Sequence, residues 1–315
     1  MSLAWKMESQ RSYLSKGLIE LGKRDPRVVV VGADTTESLK TLAFGKEFPG
    51  RLFNLGIAEQ NMIGVAAGLA TTGLVPFACT YSVFGTGHVY NGIRQAVAYT
   101  KLNVKLFCSH AGITTGPDGA THQMNEDIAL MRGLPNMTVL VPADAPETEK
   151  AVRAAAEWDG PVYCRFSRMN FPTITKPEDP FVIGRSAVMR DGTDITLAGC
   201  GIMVSRCLLA ADELDRAGIS ARVLNLASVK PMDAATVIRA ARETGAFVTA
   251  EEHSIVHGLG SAVASLTAEH YPVPVQMVGT RDVFGESGES EELLEKYGLT
   301  TRAVVEAAHR SLKIK

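Results

Sequence analysis

Short, continuous apolar segments alternate with segments of helical periodicity along the first half of this chain. Such alternation is typical of a parallel sheet covered by helices on both faces, because each strand is then buried on both sides. The sequence therefore predicts a doubly wound α/β domain. Its predicted strands are residues 27–31, 52–55, 75–80, 104–109, 138–142 and 162–166, and its predicted helices include 91–100 and 147–157.

The alternation stops in a segment that contains Pro172, Pro177 and Pro180 and lacks periodicity, and it resumes near Ile195. Such a segment is typical of a linker. We therefore predict two doubly wound α/β domains, the second one smaller: residues 1–170 and 191–315, joined by a linker at 171–190. The second domain has predicted strands at 195–197, 221–225, 247–250 and 273–278, and predicted helices at 205–216, 234–242 and 261–268.

Composition excludes several classes of function. The formal net charge of -2 gives no basic surface for nucleic acid or for an anionic membrane. No apolar run is long enough to span a bilayer, and no signal peptide opens the chain. The five cysteines are scattered and form no Cys-x-x-Cys pair, which indicates reduced structural thiols in a cytoplasmic protein.

Several chemically useful side chains follow the predicted strands directly. Ligands of parallel sheets bind beyond the carboxyl ends of the strands. Position alone therefore predicts a site at this edge of the first sheet. It would be formed by Asp34, Glu59, Tyr81, Phe84 and His110.

One carboxylate, Glu59, stands where an apolar strand turns into an apolar helix. From Met62 onward the apolar residues recur at helical spacing. A carboxylate between two buried elements costs free energy unless a group pairs with it. By charge placement alone, the simpler interpretation is a carboxylate that the N-terminus of the helix stabilises.

The whole string around this carboxylate favours a functional interpretation. Residues 56–62, Gly-Ile-Ala-Glu-Gln-Asn-Met, resemble the thiamine-diphosphate glutamate motif of transketolases, and the resemblance runs from near Arg11 to near Thr300. It implies a pyrimidine-binding domain followed by a smaller transketolase C-terminal domain. It also implies that Glu59 hydrogen-bonds N1′ of the thiamine diphosphate aminopyrimidine and so favours the imino tautomer that deprotonates C2 of the thiazolium. A carboxyl that can share a proton suits this task.

A glycine-rich loop at residues 108–123 contains two imidazoles and a carboxylate, and glycines let side chains approach a ligand closely. The string resembles the transketolase loop that ends in Asp-Gly-Pro-Thr-His-Gln. The resemblance implies that His110 contacts the phosphate of a sugar substrate. It also implies that Asp118 hydrogen-bonds a hydroxyl near C2, and that His122 orients the C1 hydroxyl of the donor or assists its proton transfers.

This loop departs from the commonest transketolase pattern. Ala111 and Gly112 stand where Asp-Ser is usual, and Ala120 replaces a proline. These features resemble 1-deoxyxylulose-5-phosphate synthase, which has an arginine at the position of His110. His110 itself, together with Gln123 and the later string Ser-Arg-Met-Asn at 167–170, favours transketolase.

Aromatic residues follow the strand at 75–80. The resemblance implies that Phe84 and Tyr81 pack against the aminopyrimidine, although core packing explains most aromatic residues. Many transketolases have a further aromatic residue at the position where this chain has Gly87. Asp34, in a loop that resembles Ala-Asp-Leu-Thr-x-Ser, would lie near the thiazolium.

Four dispersed polar residues match the transketolase phosphate site. They are Arg11, Ser38, His110 and Arg168. Each would by default be a solvated surface residue, but the set as a whole matches, and the arginine fork pairs well with two phosphate oxygens.

The second domain adds no predicted catalytic residue. His253 and His257 have the spacing of a metal pair on a helix, but they follow a strand and no third ligand is suggested. We therefore predict no metal site in this chain. The segment 279–288 resembles the Asp-x-Phe-Gly-x-Ser-Gly string of transketolase C-terminal domains, and we predict a structural role for it.

Transketolases hold the diphosphate of the cofactor through Mg²⁺, with a Gly-Asp-Gly motif in a separate N-terminal domain. No Gly-Asp-Gly string occurs in this sequence. The resemblance therefore implies the C-terminal subunit of a split transketolase, which transfers a two-carbon ketol unit between sugar phosphates. Cofactor would be shared with an N-terminal partner subunit that binds the Mg²⁺, and activity would depend on that partner. Two pyrimidine-binding domains would pair in a homodimer, which gives a heterotetramer with the partner.

Two alternatives stay open. One is a subunit that resembles 1-deoxyxylulose-5-phosphate synthase or the E1β chain of 2-oxoacid dehydrogenases. The other is a non-catalytic homologue that keeps the fold, against which the presence of Glu59 argues.

Overall fold

The apolar segments of the first domain form strands, because helices bury them on both faces. The computed structural model describes residues 5–315, so the first four residues of the predicted first domain lie outside it. Each of the six predicted strands is present, with shifts at the ends. The strands are β1 (Met7–Ser9), β2 (Val28–Gly32), β3 (Leu52–Asn54), β4 (Val75–Tyr81), β5 (Lys105–Ser109), β6 (Thr138–Leu140), β7 (Val162–Arg165) and β8 (Asn170–Pro172).

The helices of the first domain include three of 13 to 15 residues. The helix predicted at 147–157 is present and starts two residues earlier, with Asp144 as its N-cap. The helices are α1 (Gln10–Arg24), α2 (Leu42–Glu47), α3 (Glu59–Thr71), α4 (Ser82–Gly85), α5 (Tyr90–Gly92), α6 (Asp127–Gly133) and α7 (Ala145–Glu157).

The segment predicted as one α-helix at 91–100 is mostly a π-helix, at Ile93–Ala98. Its wide turn is closed by bonds such as the one from the Tyr99 N–H to the Arg94 carbonyl. Ile93, Val97 and Ala98 are all buried, so the wider turn brings two adjacent side chains into the core. Apolar spacing alone does not distinguish this turn from an α-helical one.

The second domain repeats the α/β alternation, as predicted. The strands of this half are β9 (Ala187–Arg190), β10 (Ile195–Gly199), β11 (Ala221–Asn225), β12 (Ser228–Lys230), β13 (Phe247–Ser254) and β14 (Val275–Thr280). Of these, β9 lies in the predicted linker and pairs with β11. The helices of this half are α8 (Met203–Arg216), α9 (Ala234–Thr244), α10 (Leu259–His270), α11 (Ser290–Lys296) and α12 (Thr301–Lys313).

The described residues form two large mixed sheets and one small antiparallel sheet of β1 and β8. The first has the order β12-β6-β7-β5-β4-β2-β3, and the second has the order β14-β13-β10-β11-β9. Neighbours are parallel except at one edge of each large sheet, where β12 runs antiparallel to β6 and β9 runs antiparallel to β11. Because β12 follows β11 in the chain, the second half supplies an edge strand to the first sheet and joins the two domains.

Helices on both faces bury the core of each domain. None of the helices formed by residues 5–315 combines the length and the apolar character that a membrane crossing would need. All five cysteines are buried free thiols, which agrees with a structural role.

Candidate active site

The carboxyl ends of five neighbouring strands bring the predicted site residues to one edge of the first sheet. The strands lie in the order β7-β5-β4-β2-β3 and are parallel. Arg168 follows β7 and His110 follows β5. Tyr81 ends β4, Asp34 follows β2, and Glu59 follows β3 at the start of α3. Residues separated by more than 100 positions in the sequence therefore share one edge, which is where parallel sheets bind ligands.

Glu59 is nearly buried, at 7% exposure, and it is the only acidic residue in the first turn of α3. Within residues 5–315, no hydrogen bond or ion pair engages its carboxylate. The neighbouring Ile57 is 84% exposed. A carboxylate in this state can accept a hydrogen bond from a ligand without first giving up a protein partner.

Four rings form a cluster beside the end of β4. Tyr81 stacks on His110 with ring centroids 3.7 Å apart, and it lies 5.9 Å from Phe84. His122 meets the Phe84 ring edge-on at 5.4 Å. The loop histidines and the aromatic residues after β4 are thus brought together. The cluster offers flat apolar surface next to two imidazoles.

A cationic group lies beside this cluster. Arg11 donates through Nη1 to the Ser38 carbonyl at 2.8 Å, and the Tyr81 hydroxyl donates to Ser38 Oγ at 2.9 Å. The Arg11 Nε is buried and has no partner among the described residues. Arg168 donates to the Thr115 carbonyl at 2.9 Å, and its nearest carboxylate, Asp118, is 3.9 Å away. The unpartnered Nε leaves capacity for an anionic ligand.

His110 is neutral at physiological pH in this setting. Its ring is buried, and burial together with the charges of Arg11 and Arg168 lowers its pKa to about 3. Its Nδ1 lies 2.7 Å from the Ser109 hydroxyl. The backbone is left-handed, with φ 60°, which is uncommon for a residue with a side chain and is typical of functional sites.

Asp34 has the same left-handed backbone, with φ 59°, and is exposed. Its N–H donates to Asn54 Oδ1 at 2.9 Å, and the same oxygen accepts from the Gly56 N–H at 3.3 Å. Asn54 therefore connects the loop after β2 to the turn that leads to Glu59. Sequence reasoning missed Asn54, although a polar residue at the end of an apolar strand was a usable signal.

Asp118 and His122 stand at the exposed side of the site. His122 is half-buried, with Nδ1 2.9 Å from the Thr121 hydroxyl, and Asp118 is exposed.

Sequence reasoning also missed Gln10, whose buried Oε1 accepts from the Ser167 N–H at 2.9 Å. Since Ser167 precedes Arg168, Gln10 fixes the backbone beside that guanidinium.

Across residues 5–315, no three His, Cys, Asp or Glu side chains are grouped so that they could hold a metal ion. His253 is buried and donates through Nδ1 to the Ser254 carbonyl at 2.7 Å, and burial lowers its pKa to about 4. His257, the other member of the predicted pair, is exposed.

Both halves of the chain match known families. The family model for the transketolase pyrimidine binding domain matches residues 7–173, and the model for the transketolase C-terminal domain matches residues 184–304. A relative from Methanocaldococcus jannaschii, provisionally named transketolase C-terminal section, is 43% identical over 99% of both chains.

Two further relatives are closely similar. The 6-deoxy-6-sulfo-D-fructose transketolase subunit of Clostridium sp. strain MSTE9 is 44% identical over 93% of this chain and 91% of its own. A solved structure described as split gene transketolase, inactive beta4 tetramer, is 49% identical. It superposes with a TM-score of 0.90 over 97% of this chain and 98% of that one.

Proposed function

This chain belongs to the transketolase family, and on that premise we propose that it is the C-terminal subunit of a split, thiamine-diphosphate-dependent transketolase. The proposed reaction moves a two-carbon ketol unit from a ketose phosphate to an aldose phosphate. For the division of the chain we propose a pyrimidine-binding domain at 1–170, a linker at 171–190 and a C-terminal domain at 191–315.

The residues at the strand edge fit thiamine diphosphate. Glu59 offers a nearly buried carboxylate that no group of the described chain engages, and Phe84 and Tyr81 offer ring surface at the same sheet edge, after β4, two strands away from β3. Thiamine diphosphate supplies a nucleophilic carbon and an electron sink when it is bound. We propose that Glu59 shares a proton with N1′ of the aminopyrimidine, that the two rings orient that heterocycle, and that Asp34 lies on the thiazolium side.

The cationic group formed by Arg11 and Arg168 is the observation that best supports a sugar phosphate as the substrate. Arg11 keeps a buried, unpartnered Nε, and burial together with the nearby charge of Arg168 lowers the pKa of Arg11. The same two charges, after burial, lower the pKa of His110. A phosphate dianion would offset this repulsion, and Ser38 adds a hydroxyl at the same place.

The remaining residues suit the reacting end of the sugar. We propose that His122, which is in edge contact with Phe84, orients the C1 hydroxyl of the donor and moves its proton. Asp118, 3.9 Å from Arg168, would hydrogen-bond a hydroxyl near C2. Neutral His110 would donate to a phosphate oxygen or to the transferred group. The rings and the buried loop exclude water from one side of the sugar.

Mg²⁺ and the cofactor diphosphate are assigned to an N-terminal partner subunit. Two observations support this assignment: Gly-Asp-Gly is absent from the sequence, and within residues 5–315 no three His, Cys, Asp or Glu side chains are grouped as metal ligands. The relatives named as a C-terminal section and as a split gene transketolase are similar over nearly their whole length. We therefore propose an enzyme in which each active site is shared between two kinds of chain.

Replacing Arg168 tests this function in the reconstituted complex. The complex should transfer ketol units between sugar phosphates without pyruvate, and Arg168→Ala should raise KM for phosphorylated sugars by about tenfold or more. The reason is that one charge-assisted hydrogen bond contributes about 1.5–3 kcal/mol, distant from the reacting carbon. Steady-state assays with phosphorylated and unphosphorylated acceptors measure the difference.

A matched control is Arg302→Ala, which removes an exposed guanidinium from α12. This variant should change neither KM. A requirement for pyruvate in the wild-type reaction would favour the 1-deoxyxylulose-5-phosphate synthase alternative. Equal losses of Arg168→Ala on both classes of acceptor would show that the guanidinium does not bind phosphate.

We also propose a homodimer through the pyrimidine-binding domain. The solvent side of α3 carries Gln60, Asn61, Gly64 and Gly68, and the two glycines face open space in the single chain. Small residues let a second helix approach closely.

Sedimentation of the chain at micromolar concentration should show a dimer or a larger assembly, and Gly64→Glu should shift the equilibrium toward monomer. Gly133→Glu, on an exposed glycine of α6 that also faces open space, is the control, and a monomeric wild type would contradict the proposal.

A further inference from the structure

The C-terminal domain holds Thr114, in the middle of the loop at residues 110–123, from both sides of its backbone. Glu252, on β13, accepts from the Thr114 N–H at 2.7 Å through Oε1. Ser290, the first residue of α11, donates to the Thr114 carbonyl at 2.9 Å. Glu252, Ser290 and Thr114 are all buried, so neither bond competes freely with water.

The glycines of this loop show how close the two domains come. A Cβ at Gly112, where φ is +78°, would lie 2.3 Å from the Glu252 carboxyl. A Cβ at Gly119 would lie 2.5 Å from the Ser287 hydroxyl. The amide of Gln123 also donates to the Glu286 carbonyl at 2.8 Å. The loop that carries both site histidines is therefore packed directly on the C-terminal domain.

Thr115 connects this contact to the cationic group. Its hydroxyl donates to the His110 carbonyl at 2.8 Å, and its carbonyl accepts from Arg168 Nη1 at 2.9 Å. The preceding Thr114 hydroxyl also lies 3.0 Å from that of Ser167. Any shift of the backbone at Thr114 must therefore move the backbone of His110 and the acceptor of Arg168 together.

Glu252 is itself fixed from the first domain. Its carbonyl accepts two hydrogen bonds from Arg165, each at 3.1 Å, and the Arg165 Nε is 2.9 Å from Asp127 Oδ2. All three residues are buried. The backbone of Glu252 is thus anchored, so its side chain can hold the neighbouring loop in one position.

We propose that Glu252 and Ser290 are positioning residues for the sugar-phosphate end of the site, acting through the backbone of Thr114 on His110 and Arg168. The inference rests on the proposed function, because it uses the phosphate as the ligand of Arg168. It gives the C-terminal domain a part in substrate affinity, although that domain supplies none of the site residues named above.

The experiment compares four variants in the reconstituted complex. Ser290→Ala and Glu252→Ala each remove one hydrogen bond to the backbone of Thr114. KM for a phosphorylated donor should therefore rise about three- to tenfold, while kcat changes less than about twofold. Ser290→Thr and Glu252→Gln keep the hydroxyl and an acceptor oxygen, so they should stay near wild type. Burial raises the pKa of Glu252 to about 7, and an amide resembles its protonated form.

A matched control separates positioning from a general loss of stability. The buried hydroxyl of Ser311 also donates to a backbone carbonyl, that of Phe247, but both partners lie within the C-terminal domain. Ser311→Ala should lower the thermal unfolding midpoint as much as Ser290→Ala does and should leave KM unchanged. Of the Ser290, Glu252 and Ser311 variants, only Ser290→Ala and Glu252→Ala should weaken the binding of inorganic phosphate, used as a competitive inhibitor.

The outcomes distinguish this inference from the proposed function. If Arg168→Ala shows the phosphate-selective rise in KM and both Ser290→Ala and Glu252→Ala do not, the positioning role is wrong and the function stands. If Ser290→Ala raises KM equally for unphosphorylated sugars, the positioning role is also wrong. If Arg168→Ala itself shows no phosphate selectivity, both are wrong.

Discussion

Glu59→Gln should slow the exchange of the cofactor C2 proton for deuterium by at least about 100-fold in the reconstituted complex. An amide cannot share a proton with N1′ as a carboxyl can, and positioned proton transfer typically contributes about 10²–10⁴-fold to a rate. The carboxylate is 7% exposed and begins α3, so the substitution conserves its shape and its place. Exchange on the bound cofactor, followed by NMR after acid quench, measures this step without any sugar.

The control for Glu59→Gln is Glu292→Gln, an exposed carboxylate in the first turn of α11. Both changes remove a carboxylate from the first turn of a helix, an interaction that contributes about 0.3–1 kcal/mol at the protein surface. Only the first change should slow exchange. Titration calorimetry with thiamine diphosphate on both complexes measures cofactor occupancy, so that slower exchange can be distinguished from weaker cofactor binding. Unchanged exchange in Glu59→Gln at full cofactor occupancy would show that Glu59 does not act on N1′.

The isolated chain should show no transketolase turnover and should bind thiamine diphosphate at least about 100-fold more weakly than the complex. The proposed site supplies a surface for the aminopyrimidine, whereas we propose that the partner subunit binds the diphosphate and its Mg²⁺. Losing contacts worth about 2.7 kcal/mol already weakens binding by this factor. Titration calorimetry on the purified chain, with and without Mg²⁺, provides the measurement.

Adding an N-terminal transketolase subunit should restore both binding and turnover, and chelation of Mg²⁺ should then abolish turnover. Mg²⁺ added to the isolated chain should leave its cofactor affinity unchanged. Turnover by this chain alone would be decisive against a shared active site, whichever sugar phosphates were supplied.

Much of the fold was predictable from local pattern. Each predicted strand of the first domain was found, because a strand buried on both faces leaves a continuous apolar run in the sequence. The short strands β1, β8, β9 and β12 were missed, since three or four residues at an edge leave too little pattern to recognise. The π-helix at Ile93–Ala98 was predicted as an α-helix because both present similar apolar spacing.

The candidate site was predictable where residues follow strands. Asp34, Glu59, Tyr81 and His110 all lie at the carboxyl ends of parallel strands, as expected from position alone. Their chemical roles stay predictions. Asn54 and Gln10 were missed because a single amide in the sequence carries no sign of the backbone group that it will hold.

The sequence by itself determined the alternation of strands and helices, the location of polar residues at strand ends, and the motif around Glu59. These properties depend on neighbours within one turn or one strand, so local periodicity records them. The tertiary structure alone decided the strand order, the transfer of β12 to the first sheet, and the contact of Thr114 with Glu252, 138 positions away. Contacts at such separations depend on how two independently patterned domains pack, and no local pattern specifies that packing.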